Sequence, residues 1–165
     1  MEEVKEVKYN LACGNDYREG YINVDDGSML GNKFDVRDSV FNFQPLRESA
    51  DEILVSHFIM YANVHKALKL FEKWFFALKK GGTLIIETQD LKKICKNILE
   101  SNNPQVINDN VVQFYGAGAT AGHYWTWCEE TIVPLLKYVG FKKIERFEGG
   151  FKQRKDRDFT IKATK

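Results

Sequence analysis

Short segments with alternating polarity open the chain and predict its first strands. In residues 4–13 the apolar side chains of Val7, Tyr9 and Leu11 are separated by polar ones, and the segment runs into Gly14. Alternation with a period of two indicates a strand with one buried face, and the glycine indicates a turn at its end. Three further runs rich in β-branched or aromatic residues are predicted to be strands, at residues 21–24, 34–36 and 53–55.

A stripe of apolar residues at helical spacing comes next. The stripe consists of Val64, Leu68, Phe71, Phe75 and Leu78. It predicts an amphipathic helix with Asn63 as its N-cap and with residues 79–82 as a cationic last turn that stops on glycine. Residues 83–88 follow at once, and their unbroken apolar centre predicts a strand that is covered on both faces.

The second half of the chain is predicted to begin with a helix over residues 91–99, which ends at residues 101–104. Three glycines in residues 111–123 indicate a shaped loop. A third helix is predicted to start with a capping box at Thr126 and Glu129 and to stop at Gly140, with Pro134 kinking it or delaying its start. Residues 141–147 and 159–163 are predicted to be two strands that pair antiparallel.

Alternating strands and helices through the first half predict the fold class. We expect an α/β protein with a doubly wound, mostly parallel sheet, an antiparallel C-terminal strand, and helices on both faces. Repeats, low-complexity tracts and linkers are not found, so residues 1–165 are predicted to form a single domain.

Composition narrows the classes of function. With 24 basic and 23 acidic residues the formal net charge is +1, so nucleic acid is not an expected partner. The basic cluster at residues 152–157 is better explained as a solvated loop than as a phosphate-binding patch. The sequence lacks an apolar run of ~18–20 residues, so no membrane association is expected. Cys13, Cys95 and Cys128 are odd in number and not in metal-ligand spacing, which predicts no metal site and a cytoplasmic location.

Candidate chemistry lies just past the predicted strands, because ligands of open α/β sheets bind beyond the carboxyl ends of the strands. Gly14 lets a ligand approach the backbone closely, since it has no Cβ. Eleven residues later, Asp25 ends the second strand, where a carboxylate can accept hydrogen bonds from both hydroxyls of a ribose. Asp26 is a near substitute. A plain turn after each strand explains the same residues individually, so the prediction depends on their joint position at one edge.

The order of motifs resembles the class I S-adenosylmethionine (SAM)-dependent methyltransferases, especially a small branch of type 11-like members. Residues 9–15 and 19–25 are similar to the pattern lnLGCG…GyinvD of that branch. Further similarities follow in the expected order: residues 51–57 to vDeIyasH, 78–86 to LkpGGtlii, 114–116 with 123–127 to yGg…Hrwgwt, and 135–141 to LleeaGF. Ala12 replaces the usual first glycine of the loop. The resemblance implies a Rossmann-like fold and SAM as the cofactor.

The resemblance also implies roles for individual residues. The loop beneath the methionine part of SAM is expected to be formed by Leu11, Ala12, Cys13, Gly14 and Asn15. Asp25, or Asp26 in its place, is expected to bind the ribose. Asp38 is expected to accept from the adenine amino group, with Val36 or Ser39 beside the ring. Ser56 and His57 are expected to line the pocket near the sulfonium.

Methyl transfer from a sulfonium is a direct in-line displacement, so a base is needed only if the acceptor must lose a proton. His57 and His123 are the candidate catalytic residues, and Asp90 is a weaker one. A hydrogen-bonded structural histidine explains either position as well. Relatives often read SHvLEH where this chain has residues 56–61, and their second histidine and glutamate are absent here. Any acid–base role of those two residues therefore does not transfer.

Three hypotheses follow from these residues. The first is an enzyme that methylates a small-molecule or sugar acceptor, working as a monomer or as a homodimer through the aromatic segment around His123. Tyr115, Tyr124, Trp125 and Trp127 would either line its acceptor pocket or fill the core. The second is a SAM-binding partner or regulatory subunit without catalysis. The third, another dinucleotide enzyme, is disfavoured because the chain has no G-x-G-x-x-G sequence.

Overall fold

The computed structural model describes residues 6–116, 122–148 and 154–165. Within them the strands are β1 (Lys8–Leu11), β2 (Ile22–Asp25), β3 (Val36–Arg37), β4 (Ala50–Ser56), β5 (Leu78–Gln89), β6 (Ile144–Phe147) and β7 (Asp158–Thr164). The α-helices are α1 (Val64–Ala77), α2 (Leu91–Glu100), α3 (Pro104–Tyr115) and α4 (Glu129–Val139), and a single 3₁₀ turn covers Ile59–Tyr61. None of the helices in these ranges is long and apolar enough to cross a membrane.

All seven strands lie in one sheet, in the order β3-β2-β1-β4-β5-β7-β6. Strands β1 to β5 are parallel to one another, whereas β7 pairs antiparallel with both β5 and β6. The predicted α/β class, with a mostly parallel sheet and an antiparallel C-terminal strand, is confirmed. Because β7 runs in the opposite direction, its first residue, Asp158, pairs with Gln89 at the carboxyl end of β5.

The main core lies on one face of the sheet, where strand register aligns the apolar residues. Tyr9 pairs with Ile22 on one side and with Ile53 on the other, and Ile53 pairs in turn with Leu84. Helices α1 and α4 pack on this face and bury a set of their own apolar side chains: Ala67, Leu70, Phe71, Trp74, Ala77, Ile132 and Leu136. Burial of each large side chain contributes about 1.5–3 kcal/mol to folding.

Helix α1 begins as predicted but ends earlier. The Asn63 side chain accepts a hydrogen bond from the Lys66 N–H, which confirms the N-cap. The predicted cationic last turn at residues 79–82 is wrong, because Leu78 is extended and pairs with Ala50 in the sheet. The glycines lie within β5 instead. A side chain at Gly82 would place its Cβ 2.9 Å from the Lys79 carbonyl oxygen, so only glycine fits there without a shift.

Two other predictions about the helices are wrong. Residues 8–56 hold β1 to β4 with loops between them, not the predicted alternation of strands and helices. The predicted loop over residues 111–123 starts in a helix, since α3 continues to Tyr115 and only residues 116 and 122–123 are described beyond it. Helix α3 has Asn103 as its N-cap and Pro104 in its first turn. None of its residues is buried, which explains why it has no apolar stripe.

Helix α4 starts at Glu129, three residues later than the predicted capping box at Thr126. Cys128 is the N-cap, and its N–H donates to the hydroxyl of Thr131. Pro134 therefore lies inside the helix, and Gly140 ends it as predicted. The predicted antiparallel pairing of the last two strands is confirmed by β6 and β7.

Candidate active site at the carboxyl edge of the sheet

The carboxyl ends of β1, β2, β3, β4 and β5 meet at one edge of the sheet, together with the start of β7. Two of these neighbouring strands, β1 and β4, are followed by left-handed backbone. The φ angles are +52° at Ala12, +52° at Gly14 and +50° at His57. Left-handed backbone costs a residue with a side chain about 1–2 kcal/mol, and such strain often collects at functional sites. Ala12 thus adopts a conformation that only glycine adopts freely.

Asp25 and Gly14 are brought together as predicted. One oxygen of the buried Asp25 carboxylate accepts the Gly14 N–H at 2.9 Å. The other oxygen accepts the Gly27 N–H at 2.8 Å and faces the Asn32 amide nitrogen at 3.4 Å. The carboxylate therefore joins the loop after β1 to the loop after β2. Asp26 is exposed, and its carboxylate bonds to Ser28 and not to Gly14 or Gly27, so it does not share this position.

Asn32 is a site residue that sequence reasoning missed. Its side-chain oxygen is buried and has no hydrogen-bond partner within the described residues. Buried polar atoms are nearly always paired, so this oxygen is available to a donor that enters the site. A single asparagine in a polar loop carries no signal in one sequence that would have found it.

Two buried asparagines hold the loop between β1 and β2, which contains no helix. The Asn23 side chain accepts from the Asn10 amide at 3.0 Å and from the Arg18 N–H at 2.9 Å. The Asn23 amide also donates to the Asp35 carboxylate at 2.9 Å. Sequence reasoning missed both asparagines, although each is a polar residue between two apolar ones in a predicted strand. Such alternation is typical of a half-buried strand with its polar side chains in solvent, so the burial of both asparagines becomes visible only in the structure.

Of the other predicted loop residues, Leu11 and Cys13 are buried, and Asn15 is exposed. The Cys13 thiol lies 3.6 Å from the carbonyl oxygen of Lys33, in the loop after β2. Burial, with the nearby Asp25 carboxylate as a second cause, raises the pKa of the Cys13 thiol to about 11. Cys13 is therefore a packing residue and not a nucleophile.

Asp38 and Ser39 lie directly after β3, beside the second strand. The Asp38 N–H donates to the Asp25 carbonyl oxygen at 3.0 Å, so the two predicted carboxylates belong to adjacent strand ends. The Ser39 carbonyl oxygen accepts from the N–H groups of Asn42 and Phe43, both at 2.8 Å. Residues 38–43 are thus a compact turn directly after β3, at the same edge of the sheet.

His57 lies between two buried carboxylates that sequence reasoning missed. Its Nε2 is 3.5 Å from a Glu87 oxygen and 3.4 Å from an Asp158 oxygen. Neither carboxylate side chain is exposed, and Ser56 donates its hydroxyl to Glu87 at 2.9 Å. Carboxylates accept hydrogen bonds, so the geometry favours a hydrogen on Nε2. Ser56 and His57 thus lie in one cluster with Glu87 and Asp158.

Arg157 completes this cluster from the segment before β7. Its guanidinium contacts both oxygens of Asp158, at 2.5 and 2.8 Å. Burial raises the pKa of Asp158, but the nearby His57 ring and the hydrogen bonds from Arg157 and the Arg154 N–H outweigh it and hold the pKa at about 2. The interpretation of the basic cluster as a solvated loop is wrong for Arg157. It agrees with the exposed residues 154 and 155, while Lys152 lies outside the described residues.

His123 is connected to the carboxyl end of β5 by a different route. Its Nδ1 is 2.7 Å from the carbonyl oxygen of Gln113, and the Gln113 side chain accepts from the Gln89 amide at 2.7 Å. Since a carbonyl oxygen only accepts, Nδ1 carries the hydrogen and Nε2 of the neutral ring keeps its lone pair. In the described residues no hydrogen bond joins the two histidines directly. Arg157 reaches both groups, because it also donates to Gln113 at 3.3 Å.

Aromatic rings line the same edge in a row. Phe41 contacts Phe58, Phe58 contacts Tyr61, and Tyr61 contacts His123, with ring centres 5.2, 6.1 and 5.2 Å apart. The four late aromatic residues are expected either to fill the core or to line an acceptor pocket. Trp127 is buried in the core, whereas Tyr115, Tyr124 and Trp125 are exposed.

Asp90 is not available as a base. It is buried, caps α2 by accepting the Lys92 N–H, and pairs with Arg146 at 2.7 Å. These contacts explain the residue as a structural one. A search of the described residues finds no group of His, Cys, Asp or Glu side chains that could hold a metal ion.

Comparison with protein-family models finds no matching family, and comparison with curated proteins finds no relative. Solved structures do match. A SAM-dependent methyltransferase from Archaeoglobus fulgidus is 16% identical, with a TM-score of 0.67 over 98% of this chain and 87% of that protein. One from Mesorhizobium loti is 15% identical, with a TM-score of 0.64 over 98% of this chain and 91% of that protein.

A third match is phosphoethanolamine N-methyltransferase 2 from Haemonchus contortus, solved with S-adenosyl-L-methionine. It is 15% identical, with a TM-score of 0.66 over all of this chain, which spans half of that protein. At these identities the likeness concerns the fold. The chain has the Rossmann-like fold of the class I SAM-dependent methyltransferases.

Proposed function

We propose that the protein binds SAM at the carboxyl edge of its sheet and transfers the methyl group to a small-molecule or sugar acceptor. The observation that carries this proposal is the Asp25 carboxylate, which is held by the Gly14 and Gly27 N–H groups where β1 and β2 end. In an open α/β sheet this is the position at which a ribose is recognised. The SAM-methyltransferase fold of the chain makes an adenosyl ligand the first to test.

Residues that follow different strands at this edge would bind different parts of the cofactor. Asp25 and the unpaired oxygen of Asn32 would accept from the ribose hydroxyls. Asp38 would accept from the adenine amino group, with Ser39 beside the ring. The backbone of Leu11, Ala12, Cys13 and Gly14, followed by Asn15, would hold the methionine part. Ser56 and His57 would lie near the sulfonium.

SAM supplies an activated methyl group, which an acceptor atom attacks in line while the bond from carbon to sulfur breaks and a neutral thioether leaves. The chain's part is then to position the acceptor and exclude water. An acceptor that loses a proton also needs a base. His123 is better arranged than His57 for this step, because its Nδ1–H is engaged by Gln113 and its Nε2 is left as an acceptor. His57 faces Glu87 and Asp158 and would orient groups near the sulfonium.

The class of acceptor follows from charge and shape. The net charge of +1 and the buried carboxylates at the edge are unfavourable for a phosphate backbone, so a nucleic acid is not proposed. The aromatic row from Phe41 to His123 suits a small molecule or the apolar face of a sugar. Exposed Tyr124 and Trp125 would support a homodimer. Three free cysteines fit the cytoplasm as the working compartment.

Titration calorimetry with SAM, S-adenosylhomocysteine and NADH tests the proposal. Saturable binding of both adenosyl ligands, without binding of NADH, is the expected result and would justify a screen of acceptors. Failure to bind either adenosyl ligand would remove the proposed function and leave the fold alone.

A SAM-binding subunit without catalysis is the second candidate. Its support is that His57 is occupied by two buried carboxylates and that the glutamate and second histidine of many relatives are absent. Binding of SAM without turnover on any acceptor in the screen would favour this candidate.

A further inference from the structure

Lys73, in the middle of α1, makes three hydrogen bonds to one short segment. Its Nζ lies 2.7 Å from the carbonyl oxygen of Phe41, 3.1 Å from that of Phe43 and 3.4 Å from that of Val40. All three acceptors belong to residues 38–43, the turn that follows β3. The motifs of the sequence do not include Lys73, and its place in the amphipathic pattern of α1 is that of an ordinary polar residue.

Burying the charged Lys73 side chain costs free energy, which its hydrogen bonds to the turn must offset. Lys73 is half-buried, and burial lowers the pKa of its ammonium group, while the more distant charge of Asp38 opposes that change. No carboxylate forms an ion pair with Lys73 among the described residues. An ammonium group has three donors, and here all three meet backbone carbonyls of one turn, at residues 40, 41 and 43. The side chain thus replaces secondary structure in holding the turn.

This turn carries the groups that the proposed function assigns to adenine. Asp38 opens it and is fixed on one side by its N–H bond to the Asp25 carbonyl. Phe41 lies within it, and its ring packs on Phe58 at the cofactor edge. Apart from the bonds to Lys73, residues 39–43 are held by the turn at Ser39, by the buried side chain of Val40 and by the contact of Phe43 with Tyr9.

We infer that Lys73 is a positioning residue, which holds residues 38–43 so that Asp38 selects an adenine base over a hypoxanthine base. The inference rests on the proposed function, because it requires an adenosyl ligand at this edge. An aspartate carboxylate accepts from the adenine amino group, whereas it repels the carbonyl oxygen that hypoxanthine presents at the same position. A displaced turn would lose this discrimination while the ribose and methionine contacts persist.

The test compares S-adenosylhomocysteine with S-inosylhomocysteine by calorimetry on the whole chain. The variants are Lys73→Met, which keeps the stem and removes the donors, and Lys73→Arg, which keeps donors. Lys69→Met is the matched control, since Lys69 is exposed one turn earlier on the same helix. Asp38→Ala defines the ratio of affinities that remains when the carboxylate is gone. Circular dichroism and thermal unfolding check that each variant is folded.

We expect the wild type and Lys69→Met to prefer the adenosyl ligand by about tenfold or more. Lys73→Met should bring that ratio close to the value of Asp38→Ala, with the affinity for the inosyl ligand changed less than about twofold. Lys73→Arg should restore part of the ratio. A Lys73→Met ratio equal to that of the wild type would overturn the inference, and so would an equal loss for both ligands. If the wild type bound neither ligand, the proposed function itself would fail, and this role of Lys73 would fall with it.

Discussion

The side chains of Asn10 and Asn23 meet across the first two strands in a 3.0 Å hydrogen bond between two buried amides. Asn23 then continues to the Arg18 and Tyr21 backbone and to Asp35. A loop of ten residues, 12–21, is thereby held against the sheet without a helix, and Gly14 lies within that loop. The hydrogen bonds of Asn10 and Asn23 thus hold the loop after β1 in place.

Replacing Asn23 by leucine should strongly destabilise the protein. The new side chain is similar in size but leaves the Asn10 amide and the Arg18 N–H without their partner, and each lost buried partner costs about 1–3 kcal/mol. We expect the free energy of unfolding in urea to fall by about 3 kcal/mol or more. Asn102→Leu, at an exposed position after α2, is the control and should change stability by less than about 0.5 kcal/mol. Equal stability of the two variants would contradict the role of the network.

Asp25→Ala should weaken SAM binding by about tenfold or more, because the carboxylate is the proposed ribose acceptor and also joins the two loops at Gly14. Asp26→Ala should weaken it far less, since Asp26 is exposed and its carboxylate bonds to Ser28 and not to Gly14 or Gly27. Calorimetric titration of both variants with SAM separates the neighbouring acids. A larger loss in Asp26→Ala would transfer the assignment to Asp26.

His123→Asn should lower methyl transfer about 100-fold or more while SAM affinity stays within about twofold. Asparagine retains a donor near the position of Nδ1, so the bond to Gln113 persists, but the acceptor at Nε2 is lost. The measurement is the initial rate with an acceptor from the screen, beside titration with SAM. His57→Asn is the comparison and should change SAM affinity as well as the rate. If His123→Asn retained full activity, the base would have to be sought elsewhere or not be needed.

Asp158 should make stability depend on pH in the acid range. Its pKa is about 2 in the folded protein, below the ordinary value near 3.8. A carboxylate with a lowered pKa stabilises the fold fully above its unfolded pKa, and this contribution, about 2 kcal/mol, is lost as pH falls from about 4 to 2. Urea unfolding from pH 6 to 2 should show the loss, and Asp158→Asn should flatten that part of the curve. Asp156→Asn, at an exposed position, should leave the curve unchanged.

The three thiols should react at very different rates. Cys95 is exposed, whereas Cys13 and Cys128 are buried and the pKa of Cys13 is raised to about 11. Since the thiolate is the reactive form, iodoacetamide at pH 8 should modify Cys95 first and leave the native Cys13 intact. Mass spectrometry of the digested protein reads out each site, and unfolding in urea should expose all three. Early modification of Cys13 would show that the loop after β1 opens readily.

Local patterns were sufficient to predict much of this edge. Gly14 and Asp25 could be predicted because each signal is local. Gly14 follows the first predicted strand, and Asp25 is the acid that ends the second. Glu87 and Asp158 could not be paired in the same way. They lie far apart in the chain and meet only because β7 runs antiparallel to β5. Helix α3 was missed since it buries no residue and so has no periodic apolar stripe.

Lys73 and Gln113 illustrate a second limit. Both act through backbone carbonyl groups, Lys73 as a donor to the turn after β3 and Gln113 as the acceptor for His123. Every residue has a backbone carbonyl group, so the sequence does not indicate which of these groups a side chain contacts. Such contacts become visible only when the fold is known.

The reversed direction of β7 also affects when the site can form during synthesis. Domains generally fold as units, and the N-terminal segments of a domain leave the ribosome before its last strands. Asp158 follows all the other strands in the chain, yet it forms one wall beside His57 at the edge that β1, β2 and β4 have already built. A nascent chain that ends before β7 has β5 as an unpaired edge and an incomplete His57 cluster. The complete His57 cluster can therefore form only after translation has passed residue 158.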